Sequence, residues 1–431
     1  MNIFNSSILS LTLMLALVSP NTKASPFFTF RSNTSVSALT STLYDVPELL
    51  ARANVNDGFN LPPMSYINNS TPVINDRGDV AFKVLSIEST QTQGVWGKLK
   101  SDTAGKIFVT APDERFVTDP ELNNKGDIVY SLFDEGITDG VFVFNLESLE
   151  ETQLIDPSRY QIAYYTYPQI LDNGTIYFRG TNEKNDRTVY KFQNNQLTSI
   201  FTEGQSVQSN SAKLPTSYLF RPNFNQKGAM AIKMRFGKRY DWGEDLVDAM
   251  VLVGEDNKPV VKALDLDGDE LSQFKGLSNT VSLNNLSQMA FIGFLADGKK
   301  GIYRANDLDV QRVAFEGDSQ ISEIEYFTPK IIDSGEIYFR AKDHEGKRGI
   351  YLYTNDVVVR LIGEDDVVET DLGQAKILWN KFYPGLSGDL DVNQNGDVVF
   401  HALLVNKEDG REIGAGIFQM LRKKASKEVE D

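Results

Sequence analysis

The stretch Ile74-Asn75-Asp76-Arg77-Gly78-Asp79-Val80-Ala81-Phe82 decides the fold, because six further segments can be laid over it. They are Asn123 to Tyr130, Leu171 to Phe178, Asn225 to Ile232, Asn284 to Phe291, Ile332 to Phe339 and Asn393 to Phe400, each reading approximately N-x-x-G-x-V-x-F. The glycine stands at Gly78, Gly126, Gly174, Gly228, Gly335 and Gly396, with Ser287 in the fifth copy. Copies follow one another at 48 to 61 residues, a period that marks propellers and solenoids.

Asn or Asp ahead of a glycine is turn chemistry: the glycine supplies positive φ, and the short polar side chain bonds its own backbone. The V-x-F alternation is a strand of period two. Six positions before the glycine stands Pro72, Pro120, Pro168, Pro222 or Pro329, as suits the start of a short strand. A second apolar run opened by glycine follows, as in Gly94-Val95-Trp96, Gly140-Val141-Phe142, Gly301-Ile302-Tyr303, Gly349-Ile350-Tyr351 and Gly416-Ile417-Phe418. A third run, such as Val357 to Ile362, completes four antiparallel strands, here lettered A to D. Such a unit cannot bury both faces alone and is a propeller blade. The seventh copy has no room for strand D after Met420, so the segment Phe27 to Leu43 is expected to complete it and close the ring. The fold class is therefore all-β, a seven-bladed β-propeller.

The repeats resemble a family of exported bacterial proteins with tandem N-x-x-G-x-V-A-F repeats. Ile74 to Phe82 matches that motif almost letter for letter, and the resemblance covers essentially the whole chain after its first residues. It implies a propeller and no agreed activity, hence no catalytic residues.

Ile8 to Val18 reads as the apolar core of a signal peptide, too short to span a bilayer, although no basic residue precedes it; an uncleaved buried strand is the other reading. Small residues at Thr22 and Ala24 place cleavage after Ala24, leaving residues 25–431 as a single propeller domain in the periplasm or outside the cell. Cysteine is absent, which excludes disulfides, thiolate metal sites and cysteine nucleophiles. With 59 acidic against 43 basic residues the chain is a poor partner for nucleic acid or an anionic membrane. No other run is long enough for membrane insertion, and a monomer is expected.

Propeller topology puts the uniform N-x-x-G turns on one face and the B–C and D–A connections on the other, where ligands bind. Long loops are expected at Glu203 to Tyr218, Leu264 to Thr280, Gly363 to Phe382 and Arg235 to Asp248. They carry Trp242 and Trp379, either as stacking platforms for a ligand or packed under their own loops. The residue after each V-x-F is Lys83, Ser131, Arg179, Lys233, Ile292, Arg340 and His401. This ring is either a cationic collar for a uronate or sulfate group or a set of cations paired between blades. His401 with Arg340 or Arg179 and a tyrosine would make the set needed to abstract a proton α to a sugar carboxylate. Asp265, Asp267 and Asp269 form half of a calcium loop, with Glu270 where the full spacing needs glycine; a solvated acidic turn is the alternative. No cofactor other than calcium is suggested. The sequence ranks a binding module for a polysaccharide or protein first, a uronate-polysaccharide lyase second and a structural surface protein third.

Overall fold

A computed structural model describes residues 36–67, 69–86, 93–111, 115–134, 137–209, 213–238, 246–266 and 273–423. Seven antiparallel sheets stand in a ring as a seven-bladed propeller. The third blade shows the plain pattern: Ala163–Ile170, Ile176–Thr181, Arg187–Gln193 and Gln196–Thr202 pair in sequence order as A, B, C and D. In the first blade strand A is broken into Ser65–Tyr66 and Val73–Ile74 on either side of Pro72. The same happens around Pro120, Pro222 and Pro329, because proline offers the ladder no N–H.

The repeated letters have separable jobs. In the turn, Asn75 Oδ1 accepts the N–H of Arg77 and of Asp79, while Gly78 sits at φ +88°. The aromatic of V-x-F lies directly across from the aromatic of strand C. Phe82 stacks on Trp96, Tyr130 on Phe142, Phe178 on Tyr190, Phe291 on Tyr303, Phe339 on Tyr351 and Phe400 on Phe418, with centroids 4.5 to 5.8 Å apart. These cross-strand pairs feed apolar clusters that run between neighbouring blades, such as Val73, Val95 and Val109 of the first blade against Ile128, Tyr130 and Phe144 of the second.

Two concentric rings of hydrogen bonds then join blade to blade at the turn end. In the inner ring the backbone N–H of Asp76 donates to Asn124, Asn124 to Asp172, Asp172 to Gln226, Gln226 to Asn285, Asn285 to Asp333, Asp333 to Gln394, and Gln394 back to Asp76, all at 2.7 to 2.9 Å. In the outer ring the motif asparagines reach the next blade's carbonyl, as Asn75 Nδ2 does to Asn123 O and Asn393 Nδ2 to Asn75 O. Leu171 and Ile332 interrupt that ring, and their turns are held instead by Asn173 and Ser334.

An N-terminal strand does supply the last D strand, but from a different segment than expected. Glu48–Ala53 pairs with Glu412–Met420, whereas Val36–Leu43 is a two-turn helix whose Thr40 Oγ1 donates to Arg360 O. Leu39 and Leu43 stand four apart, the helical period, and the contiguous Leu49-Leu50-Ala51 is the run that becomes strand. Arg52 on that strand is fully buried and holds Asp371 with Nε and Nη2 at 2.8 and 2.7 Å. Residues 1–35, with the expected signal segment and Phe27 to Ser35, lie outside the described residues. Two expected long loops are folded: Ser206–Gln208 pairs Lys213–Leu219, and Val367–Thr370 pairs Gly373–Ile377, each a hairpin that lengthens strand A.

Candidate functional site

Strand A lines the central channel, and alternate residues point into it. Five positions before the motif glycine stand Val73, Glu121, Gln169, Asn223, Ser282, Lys330 and Asp391; seven positions before it stand Thr71, Asp119, Tyr167, Arg221, Thr280, Thr328 and Asp389. Most of these groups line a polar cavity of about 200 Å³ that reaches down to the turn ring. Arg221 of the fourth blade crosses to Glu121 of the second at 2.9 Å, and Lys330 meets Asp391 at 3.1 Å. Burial raises the Glu121 carboxyl above the ordinary carboxylate range in spite of Arg221 and Lys330. Burial also opposes the charge of Lys330, yet Asp391, Asp389 and Glu121 outweigh it and raise its pKa.

The collar residues are mostly consumed by the scaffold. Lys83 pairs with Asp119 of the next blade at 3.2 Å. Lys233, buried, meets Asp248 at 2.7 Å and donates to Leu277 O of the next blade at 2.9 Å. Arg340 donates Nε to Glu325 and its other nitrogens to Gly388 O and Leu386 O of the next blade. His401 is 1% exposed, with Nδ1 2.8 Å from Ser387 Oγ, and burial followed by the charge of Arg340 lowers its pKa to about 3. A neutral imidazole sealed in the wall has no path to a polymer. Ser131 and Ile292 are buried. Arg179 differs: its one hydrogen bond runs from Nη1 to Leu219 O at 2.9 Å, and no carboxylate lies within 4 Å among the described residues.

Asp265 is turned inward, its Oδ1 accepting the N–H of Asp248, and burial raises its pKa to about 6. Asp267, Asp269 and Trp242 lie outside the described residues, and among those described no three acidic or histidine side chains gather as a metal site. Trp379 is exposed, with Lys347 Nζ 5.5 Å from its ring.

That tryptophan belongs to a larger set. The exposed aromatics among the described residues are Tyr66, Phe116, Tyr164, Tyr167, Tyr326, Trp379, Phe382 and Tyr383, between 39% and 92% exposed. All eight lie seven to seventeen residues before a motif glycine, in or just ahead of strand A, at the end opposite the turns. Several are braced: Phe116 stacks on Phe133, and Tyr326 stacks on Phe294 with Lys300 Nζ 4.3 Å from its centroid. The Trp379–Tyr383 loop is pinned at its foot, where Gly385 N–H donates to Glu364 and Gly385 O accepts the N–H of Leu403. Tyr164 and Tyr167 both sit at φ +56° on bulges of strand A, a conformation that bulky residues rarely adopt.

A wider groove of about 930 Å³ lies beside Val36–Leu43 and the sixth blade. Three of its lining acids, Asp366, Asp365 and Glu364, are paired within the protein, with Arg360, Lys347 and Arg348. The channel end with the aromatic rim is thus the better candidate site. Apart from Trp379, the rim was not legible in the sequence, since most of its members stand at different offsets from their motif glycines.

The family model described as "Family of unknown function (DUF7453)" matches the chain over residues 48–324 and 155–429. No curated protein matches it. Among solved structures the chain is similar to an oligogalacturonate lyase from Vibrio parahaemolyticus, at 11% identity and a TM-score of 0.51, over 88% of this chain and 97% of that one. An ulvan lyase of polysaccharide lyase family PL25 matches at 9% identity and a TM-score of 0.45, over 86% and 94%. A puromycin-hydrolyzing peptidase of Mycobacterium tuberculosis matches at 12% identity and a TM-score of 0.48, over 80% of this chain and 52% of the peptidase, so the chain spans about half its length. At such identities the likeness is one of fold.

Proposed function

We propose that this chain, which belongs to the family of unknown function DUF7453, is an exported binding module that lays a glycan across the rim of its propeller. The observation that carries the reading is that all eight exposed aromatics among the described residues stand in or next to strand A, towards the end of the propeller opposite the turns. Aromatic faces give sugar rings an apolar platform while the hydroxyls stay in water or meet nearby polar groups. A rigid ring of blades holds such platforms at fixed spacing, so an extended polymer meets several of them without ordering the protein. The burial of His401 and the engagement of Arg340 leave the expected proton-abstracting set unassembled, which favours binding over β-elimination. Export is supported by the signal-like Ile8 to Val18.

The test is migration of the purified protein through native gels cast with a panel of neutral and acidic polysaccharides. The wild type should be retarded by at least one polymer. The combined variant Tyr326→Ala, Trp379→Ala, Tyr383→Ala should run as in the blank gel while keeping its melting temperature. Unretarded migration of the wild type in every gel would defeat the proposal.

A further inference from the structure

We infer that the corner formed by Arg179, Tyr167 and Arg221 is a carboxylate subsite, so that the glycan is a polyuronate; this rests on the glycan reading above. Arg179 and Arg221 come from the third and fourth blades, yet their guanidinium carbons both lie over the one ring of Tyr167, at 5.3 and 5.0 Å. Tyr218 adds a second aromatic beside Arg179, at 5.9 Å. The Tyr167 ring is exposed, and its strand is bulged at positive φ on either side of Thr166, which carries the ring out towards the mouth.

The hydrogen-bond inventory of Arg179 points to the ligand. With Nη1 committed to Leu219 O, the edge formed by Nε and Nη2 has no acceptor among the described residues. That same edge is what Arg52 uses on Asp371, and what Arg235 uses on Asp248, with 2.8 and 3.0 Å bonds. It matches two coplanar carboxylate oxygens. The strand A residue that faces each arginine explains why this edge is open in one blade. Glu325 holds Arg340 with its carboxylate and donates its backbone N–H to Arg340 O, whereas the residue paired with Arg179 is Thr166, which carries no charge. The third blade thus offers its arginine a hydroxyl where the sixth offers an acid. Arg221 adds a second positive charge, already balanced by Glu121, so the corner with Arg179 retains a net positive charge in an acidic protein.

The experiment is isothermal titration with trigalacturonate and with its fully methyl-esterified form, which present the same rings and differ in charge. The acid should bind the wild type at least ten-fold more tightly than the ester, with the ratio shrinking as NaCl rises from 0.05 to 0.5 M. In Arg179→Ala the ratio should fall to within about two-fold of unity while the ester's own affinity is unchanged. Should that variant not fold, Arg179→Lys, which keeps the charge and loses the fork, should cut the ratio at least three-fold. Equal affinity for acid and ester in the wild type, an acid preference in Arg179→Ala that stays above about two-fold, or one that Arg179→Lys cuts by less than about three-fold, overturns the subsite and leaves the rim reading standing. Failure of both sugars to bind, with every polysaccharide gel also negative, removes the rim reading and the subsite with it.

Discussion

Arg340 and Arg179 occupy the same step of strand B, in the sixth and third blades, and the protein uses them in opposite ways. Arg340 is buried, lies 3.9 Å from the Phe327 centroid, and spends every nitrogen on Glu325 or on carbonyls of the next blade. Arg179 is half-buried and spends one. A repeated charge in repeated geometry is thus an inter-blade strut by default. The position becomes informative about ligands where no acid faces the cation.

The largest expected effect follows directly. Arg340→Ala leaves Glu325 buried with only Arg348 beside it and frees two carbonyls, and should cost about 3–5 kcal/mol of stability by denaturant titration. Arg179→Ala removes one hydrogen bond to a carbonyl and should cost about 1 kcal/mol or less. Comparable losses in the two variants would erase the distinction between strut and ligand contact.

His401, at the same step in the seventh blade, extends the contrast to a group held neutral. Its folded pKa of about 3 lies below its usual value near 6.5. As pH falls through 6.5 the unfolded chain takes up a proton that the folded chain refuses, so this site's contribution is present above pH 6.5 and is lost progressively towards pH 3. Between pH 7 and pH 4 the wild type should lose about 3 kcal/mol more than His401→Asn, whose amide can keep the Ser387 bond. Parallel stability–pH curves for the two proteins would show that the ring is solvated and available for proton transfer after all.

The turn end sets the scale for what repetition itself contributes. Asn393 accepts two backbone N–H groups and donates to Asp397 and to Asn75 O across the seam between the last blade and the first. Asn393→Ala should cost about 2 kcal/mol, with glycan affinity unchanged. A loss of affinity in that variant would mean that the two ends of the channel are mechanically coupled.

These contrasts also explain what could be read beforehand. The blades were legible because Asn, Gly and the V-x-F aromatic each satisfy a demand that every blade repeats: a turn, a positive φ, a cross-strand stack. The closing strand was legible as a requirement, yet misplaced, because Glu48–Ala53 is only six residues long and carries no motif to mark it. The collar was visible as charge, but its neutralisation depends on groups of the next blade, such as Leu277 O for Lys233 and Asp119 for Lys83, that lie well away in the chain. The open edge of Arg179 left no signal, because Thr166 and Glu325, which face the two arginines, stand at different offsets from their motif glycines. The rim aromatics share no single register, Phe116 and Tyr164 alone standing at the same offset from their glycines, since the blades reach this end through connections of different length.

The smallest effect probes the rim itself. Tyr326 stands clear of the wall, 69% exposed, with Phe294 stacked on it at 5.7 Å and Lys300 at its edge or face. Tyr326→Ala removes a platform but no buried contact of consequence, so stability should move by less than about 0.5 kcal/mol. Glycan affinity should fall roughly three- to ten-fold, about 0.6–1.4 kcal/mol, as expected for one stacking contact among several. Tyr326→Phe should bind like the wild type, because the ring supplies the platform and the hydroxyl has no protein partner to lose. A drop in Tyr326→Phe equal to that in Tyr326→Ala would mean the hydroxyl carries the contact, and the rim would then be read as a set of hydrogen-bond donors rather than as stacking surfaces.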